Sequence, residues 1–114
     1  MESTLNLESI SRFIGISVEC IQMIRSVFEK HSDVQEVYIY GKRAQGDFYI
    51  DTPIDLAISH SYESPGEMDI IRNELEMLDI LYEINLIDTD LIRNQQLKDQ
   101  ITRERIPIYI RNEF

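Results

Sequence analysis

Apolar residues along this chain recur with two periods that alternate from one end to the other. Cys20, Ile21, Ile24, Val27 and Phe28 fall at three- and four-residue steps, the stripe of an amphipathic helix over about 18–31. Ser17 stands where an N-cap belongs. Leu7, Ile10 and Ile14 give a weaker helical signal within 4–14. The period then shortens. Val34-Gln35-Glu36-Val37-Tyr38-Ile39-Tyr40 is rich in β-branched and aromatic residues and reads as a strand, with Val37 and Ile39 on one face and Tyr38 and Tyr40 on the other. Lys42 to Gln45 forms a single helical turn closed by Gly46, and Ile54 to Ile58 is a second strand. Pro65-Gly66 marks a break, after which Met68, Ile71, Leu75 and Leu78 place a helix over 67–81. Ile84 to Ile87 is a third strand, and Leu91, Leu97 and Ile101 anchor a helix over roughly 90–104. Ile108-Tyr109-Ile110 closes the series, and Pro107 just ahead of it suits an edge strand. The alternation predicts an α+β fold of the α/β type, a mixed sheet flanked by helices, in a single domain over 1–114.

Composition narrows the function classes. A chain of 114 residues supports one core, and 43% hydrophobic residues fit a globular domain rather than a disordered one. Its apolar runs are too short to cross a bilayer, so no membrane association is expected. The opening MESTLNLESISRF lacks a basic segment before an apolar one, and no secretory signal is visible. Cys20 is the sole cysteine, which excludes an internal disulfide and a multi-cysteine zinc site, and its apolar helix face makes it core. A cytoplasmic setting is the expectation. The formal charge of −10 repels phosphates and argues against nucleic acid as a partner, while it suits a basic protein surface.

The stretch from Tyr38 to Ile58, YIYGKRAQGDFYIDTPIDLAI, carries the candidate chemistry. A strand ends at Gly41, a Gly-bounded turn follows, and a second strand bears Asp55. This layout resembles the signature of the minimal nucleotidyltransferases of the DNA polymerase beta superfamily, in which Gly-Ser is followed by ten residues and Asp-any-Asp. Here Gly41-Lys42, ten residues and Pro53-Ile54-Asp55 keep the spacing but change the letters. The strand Ile84-Asn85-Leu86-Ile87-Asp88 is similar to the one that brings the third carboxylate, and LKDQITRERIPIYIRNEF resembles the closing helix and strand. The resemblance covers most of the chain and implies the nucleotidyltransferase fold.

Nucleotidyl transfer explains the pattern. Three carboxylates hold two Mg²⁺ ions, which activate the attacking oxygen and clamp the phosphates of a nucleotide such as ATP. Two carboxylates one residue apart on a strand share a face, and a third arrives from a neighbouring strand. Against that demand, Pro53 cannot ligate a metal, Asn85 is neutral, and Lys42 puts a cation in the serine position. Asp55 is the one surviving carboxylate and the one metal-ligand candidate. Asp51, in the loop just ahead, is the acid able to swing toward it. Asp88 faces the other side of its strand from Asn85, Glu83 sits about 7 Å further along, and Asp47 reads as a turn residue. Lys42 admits two readings: a point charge for phosphate, or an ion-pair partner for Asp55 or Asp51 that fills the space of a metal. Gly41, Lys42 and Arg43 are the nucleotide-binding candidates, with Arg43 more often a support for such a loop than a chemical group. His31, at a helix end, and His60, in a Ser-rich loop, read as solvated.

The resemblance implies three functions. One is a nucleotidyltransferase-fold protein with a degenerate metal site that acts by binding a helical HEPN-type partner, antitoxin-like. A second is an active Mg²⁺-dependent transferase that places NMP on a protein or small-molecule acceptor through Asp55 and Asp51. A third is a nucleotide sensor that holds a triphosphate through Lys42. A homodimer is left open, and so is the enzymatic status.

Overall fold

A computed structural model describes residues 5–61 and 66–111. Residue 4 of the first helix expected, Pro65 of the expected break and the last three residues of the tail lie outside the described residues. The elements run in chain order: α1 (Leu7–Ile14), α2 (Val18–Glu29), β1 (Val34–Tyr40), β2 (Ile54–His60), α3 (Glu67–Glu76), β3 (Ile84–Asp88), a 3-10 turn (Thr89–Leu91), α4 (Gln95–Glu104) and β4 (Ile106–Ile110). Four strands form one sheet in the order β3-β2-β1-β4. Strands β2 and β3 are parallel, joined through α3, whereas β1 runs antiparallel to both β2 and β4. The mixed sheet of the sequence reading is therefore present.

Caps explain why the helices start where they do. Asn6 Oδ1 accepts from the Ser9 N–H at 3.0 Å, and Ser17 Oγ accepts from the Cys20 N–H at 3.1 Å. The stripe on α2 buries Cys20, Ile21, Ile24, Val27 and Phe28 against Val37 and Ile39 of β1 and Ile54, Leu56 and Ile58 of β2. Full burial of each such side chain contributes about 2 kcal/mol. Tyr38 and Ala57 are buried outside that cluster, on the face where Ile101 of α4 lies, so the sheet packs on both sides.

Two helices depart from expectation. The helix read over 67–81 stops at Glu76, with Met77 exposed and Leu78 and Ile80 turned back against the core. That early end returns the chain in time for Ile84 to pair with Ile54. The helix read over 90–104 starts at Gln95, because Asn94 Oδ1 caps the Leu97 N–H at 3.1 Å. Asp88 caps a separate 3-10 turn ahead of it by accepting from the Asp90 N–H at 2.9 Å. Of the three anchors read on that helix only Ile101 is buried, and Leu91 is 71% exposed. Strand β4 is an edge strand, as Pro107 implied, although it begins at Ile106 and holds Pro107 opposite Tyr38. No helix among the described residues is long and apolar enough to cross a membrane.

Candidate functional site

The site is a corner of the sheet where β1 ends and β2 and β3 begin. Register sets its centre: Asp55 pairs with Tyr40 on one side and with Asn85 on the other. The Asn85 amide donates from Nδ2 to Asp55 Oδ1 at 3.0 Å. The position expected for a third carboxylate thus lies beside Asp55, filled by an amide that hydrogen-bonds to it. The Tyr40 phenol is pushed above its ordinary range by burial, with the Asp55 charge adding to the effect.

Gly41 follows with a φ of 76°, and a Cβ there would stand 2.9 Å from Asp55 Oδ2. Glycine is therefore required by both the backbone and the neighbouring carboxylate. The next residues wind into a turn, with Gln45 N–H on Gly41 O at 3.1 Å. Gly46, at a φ of 74°, ends it in a Schellman arrangement: Gly46 N–H meets Arg43 O at 3.2 Å and Asp47 N–H meets Lys42 O at 2.9 Å. The expected helical turn closed by Gly46, with Asp47 as a turn residue, is what the chain adopts.

Lys42 and Arg43 are neighbours with opposite fates. Lys42 is exposed and, among the described residues, makes no ion pair with Asp55 or Asp51, so the ion-pair reading of Lys42 is not what the structure shows. Arg43 is buried. Its Nε donates to Thr52 O at 2.9 Å, its Nη1 to Ile14 O at 2.9 Å and Gly15 O at 3.4 Å, and its Nη2 to Ile50 O at 3.3 Å and Tyr49 O at 3.4 Å. The rings of Phe48 and Tyr82 flank its guanidinium, each centred 4.8 Å from Cζ. Arg43 supports the loop with all three nitrogens. Only the arginine fork could reach so many carbonyls from one side chain. Pro53 is half-buried before β2, and Asp51 is exposed in the turn ahead of it, with no hydrogen bond among the described residues.

This donor set does not fit a two-metal cage. Asp55 offers one carboxylate, and one of its oxygens already accepts from an amide; Pro53 offers nothing, and Lys42 adds positive charge to the same corner. Two dications would meet a single formal anion in the inner shell.

The sequence pattern leaves both histidines in solvent, whereas the structure engages both. His31 Nδ1 lies 2.9 Å from Glu67 Oε1 and its Nε2 2.8 Å from Glu74 Oε1, which ties the end of α2 to both ends of α3. Lys30 joins Glu74 at 2.6 Å. The Lys30 hydrogen bond, reinforced by His31, holds the Glu74 carboxyl below its ordinary range against the opposing effect of burial. His60 Nε2 meets Asp88 Oδ2 at 2.5 Å, with both side chains largely buried. Asp90 brings a third ligating atom within 4.8 Å of those two, but Asp88 already serves His60 Nε2 and the backbone N–H of Asp90, so its oxygens are taken up by a hydrogen bond and a cap. No sequence signal marked these pairs, because each joins residues 28 to 43 positions apart. Cys20 is buried as expected, and burial pushes its thiol up, with Arg43 opposing.

A four-stranded mixed sheet with a Gly turn and an aspartate at this corner defines a nucleotidyltransferase-type domain. The profile of the family described as polymerase beta, nucleotidyltransferase matches residues 22–114, and the chain belongs to that family. Its resemblance to the minimal nucleotidyltransferases is thereby borne out. Among solved structures it is similar to a toxin–antitoxin crystallised with AMP-PNP, at 17% identity and a TM-score of 0.63, over 81% of this chain and 74% of that one. It is similar also to the toxin–antitoxin MntA-HepT, at 14% identity and a TM-score of 0.60, over 83% and 74%. A Sulfolobus solfataricus structure assigned as a nucleotidyltransferase matches at 20% identity and a TM-score of 0.53, over 95% and 90%. At these identities the likeness concerns the fold. A search of curated protein sequences finds no match.

Proposed function

We propose that this chain acts by binding a protein partner, a helical protein of the HEPN type, in an antitoxin-like role, and that its metal site is degenerate. The observation that carries the reading is the Asp55 corner. The single remaining carboxylate accepts a hydrogen bond from Asn85, where a transferase of this family needs a further anion, and the exposed Lys42 follows Gly41 at the same corner without an ion pair among the described residues. Two fold neighbours are toxin–antitoxin structures, which supports a protein partner of that kind. A net charge of −10 favours association with a basic surface. The test is to incubate the protein with labelled ATP, Mg²⁺ and a helical protein of the HEPN type. A stable complex without label transfer is expected. Transfer that disappears in Asp55→Ala overturns the reading and makes the chain an active nucleotidyltransferase.

A second reading rests on Lys42. Exposed beside the Gly41 turn and without an ion pair to Asp55 or Asp51 among the described residues, its ammonium is available to a phosphate, and the chain would then sense a nucleoside triphosphate. Calorimetry with ATP and GTP, with and without Mg²⁺, decides it. Metal-independent heat that Lys42→Met abolishes supports the sensor, and no heat at millimolar nucleotide removes it.

A further inference from the structure

The loop between β1 and β2 exposes apolar side chains that a mobile loop would be expected to hide. Tyr49 is 79% exposed and Ile50 87%, yet Arg43 holds both of their carbonyls, and Tyr49 and Thr52 exchange hydrogen bonds of 2.9 and 3.2 Å. The same guanidinium holds Ile14 O, next to the half-exposed Phe13, and stacks on Tyr82, next to the fully exposed Leu81. The Phe13 ring also packs on Gly46, 3.4 Å from where a side chain there would begin. Four exposed apolar side chains from three separate segments thus stand at or next to residues whose backbone or ring is held by one buried arginine, itself close in sequence to the Asp55 corner. Scattered exposed apolar residues need no explanation, but several carried on backbone that one buried anchor holds suit an interaction surface.

Charge identifies what such a surface accepts. Asp47, Asp51, Asp79 and Glu83 are exposed in the segments that carry the apolar group, against Lys42 of the turn and Arg12 beside Phe13, which leaves the acids in excess. A second copy of this chain would bring another charge of −10 to an already acidic face, which disfavours self-association.

We propose that Phe13, Tyr49, Ile50 and Leu81 form a docking surface, preorganised by Arg43, for a protein that presents an apolar ridge flanked by lysines or arginines. The proposal rests on the partner-binding reading and adds where the partner sits: over the Asp55 corner. Rigidity contributes, because a loop already fixed loses little conformational freedom on binding.

The experiment compares the wild type with Tyr49→Asp/Ile50→Asp and with Leu91→Asp/Leu97→Asp, whose sites lie at the opposite end of β3. Each is titrated calorimetrically with a helical protein of the HEPN type, at low and at physiological salt. Thermal melts verify that all three are folded, which the exposure of all four positions favours. The double change at Tyr49 and Ile50 is expected to weaken binding by tenfold or more, the distant pair to leave it unchanged, and added salt to weaken the wild-type complex. Equal binding by all three overturns the location and leaves partner binding intact. Failure of the wild type to bind removes both. A wild-type dimer in sedimentation that Tyr49→Asp/Ile50→Asp dissociates assigns the face to a second copy and overturns the basic partner.

Discussion

Strand β2 carries an ionisable side chain near each end, and the two ends solve the problem of charge differently. At its start, Asp55 is half-exposed, with a neutral amide as its neighbour and a lysine that makes no ion pair with it. At its finish, His60 is largely buried and closed against Asp88, which also caps the following turn. A buried, hydrogen-bonded pair belongs to the architecture, because removing either partner leaves the other's bonded polar atom without compensation. A half-open carboxylate next to an exposed cation that pairs with nothing among the described residues contributes little to folding and stays accessible. The contrast leaves the Asp55 end, where the proposed function lies, as the accessible one. It also separates Arg43 from Lys42: the buried cation is structural, and the exposed one is available to a ligand.

Substitutions can break this contrast in order of expected cost. Arg43→Met should be the most damaging, since it strands several inward-facing carbonyls; a loss of about 3 kcal/mol or more in urea unfolding is expected. A loss below about 1 kcal/mol would mean that water replaces the guanidinium. Asp88→Ala removes both the His60 partner and the cap, and should cost about 3 kcal/mol by the same measurement. At the other end of the strand, Asp55→Asn keeps an acceptor for Asn85 and should change stability by less than about 1 kcal/mol. If Asp55→Asn proved as costly as Asp88→Ala, the corner would be architecture and not a site. Lys42→Met should be smallest, within about 0.5 kcal/mol in the melting transition.

The link between α2 and α3 adds a dependence on pH. Glu74 has its carboxyl held low, chiefly by Lys30, so its contribution is fully present above the ordinary carboxylate range. It is lost as pH falls through the lower, folded-state value. Glu74→Gln should therefore flatten the acid side of the stability-against-pH curve. An acid limb identical to the wild type would show that the triad of Lys30, His31 and Glu74 adds nothing to folding.

Much of the fold was legible in the sequence because it rests on local periodicity. The α2 stripe, the two-sided β1 strand, the Ser17 cap and the Gly46 closure each depend on residues a few positions apart. The over-long helices failed for a local reason as well: Asn94 and Asp88 were caps hidden inside a helical pattern. The spacing from Gly41 to Asp55 likewise identified the family before any contact was known.

What tertiary structure alone decided was the company each charged residue keeps. Sequence placed Asn85 at the third-carboxylate position, but only the parallel register of β2 and β3 shows its amide donating to Asp55. Adjacent Lys42 and Arg43 look interchangeable as letters, yet one faces solvent and the other faces five carbonyls and two rings. His31 and His60 read as solvated until the fold brought Glu67, Glu74 and Asp88 to them. The reason is physical: hydrophobic period is written every two to four residues, whereas the partner of a charge is set by where the whole chain folds.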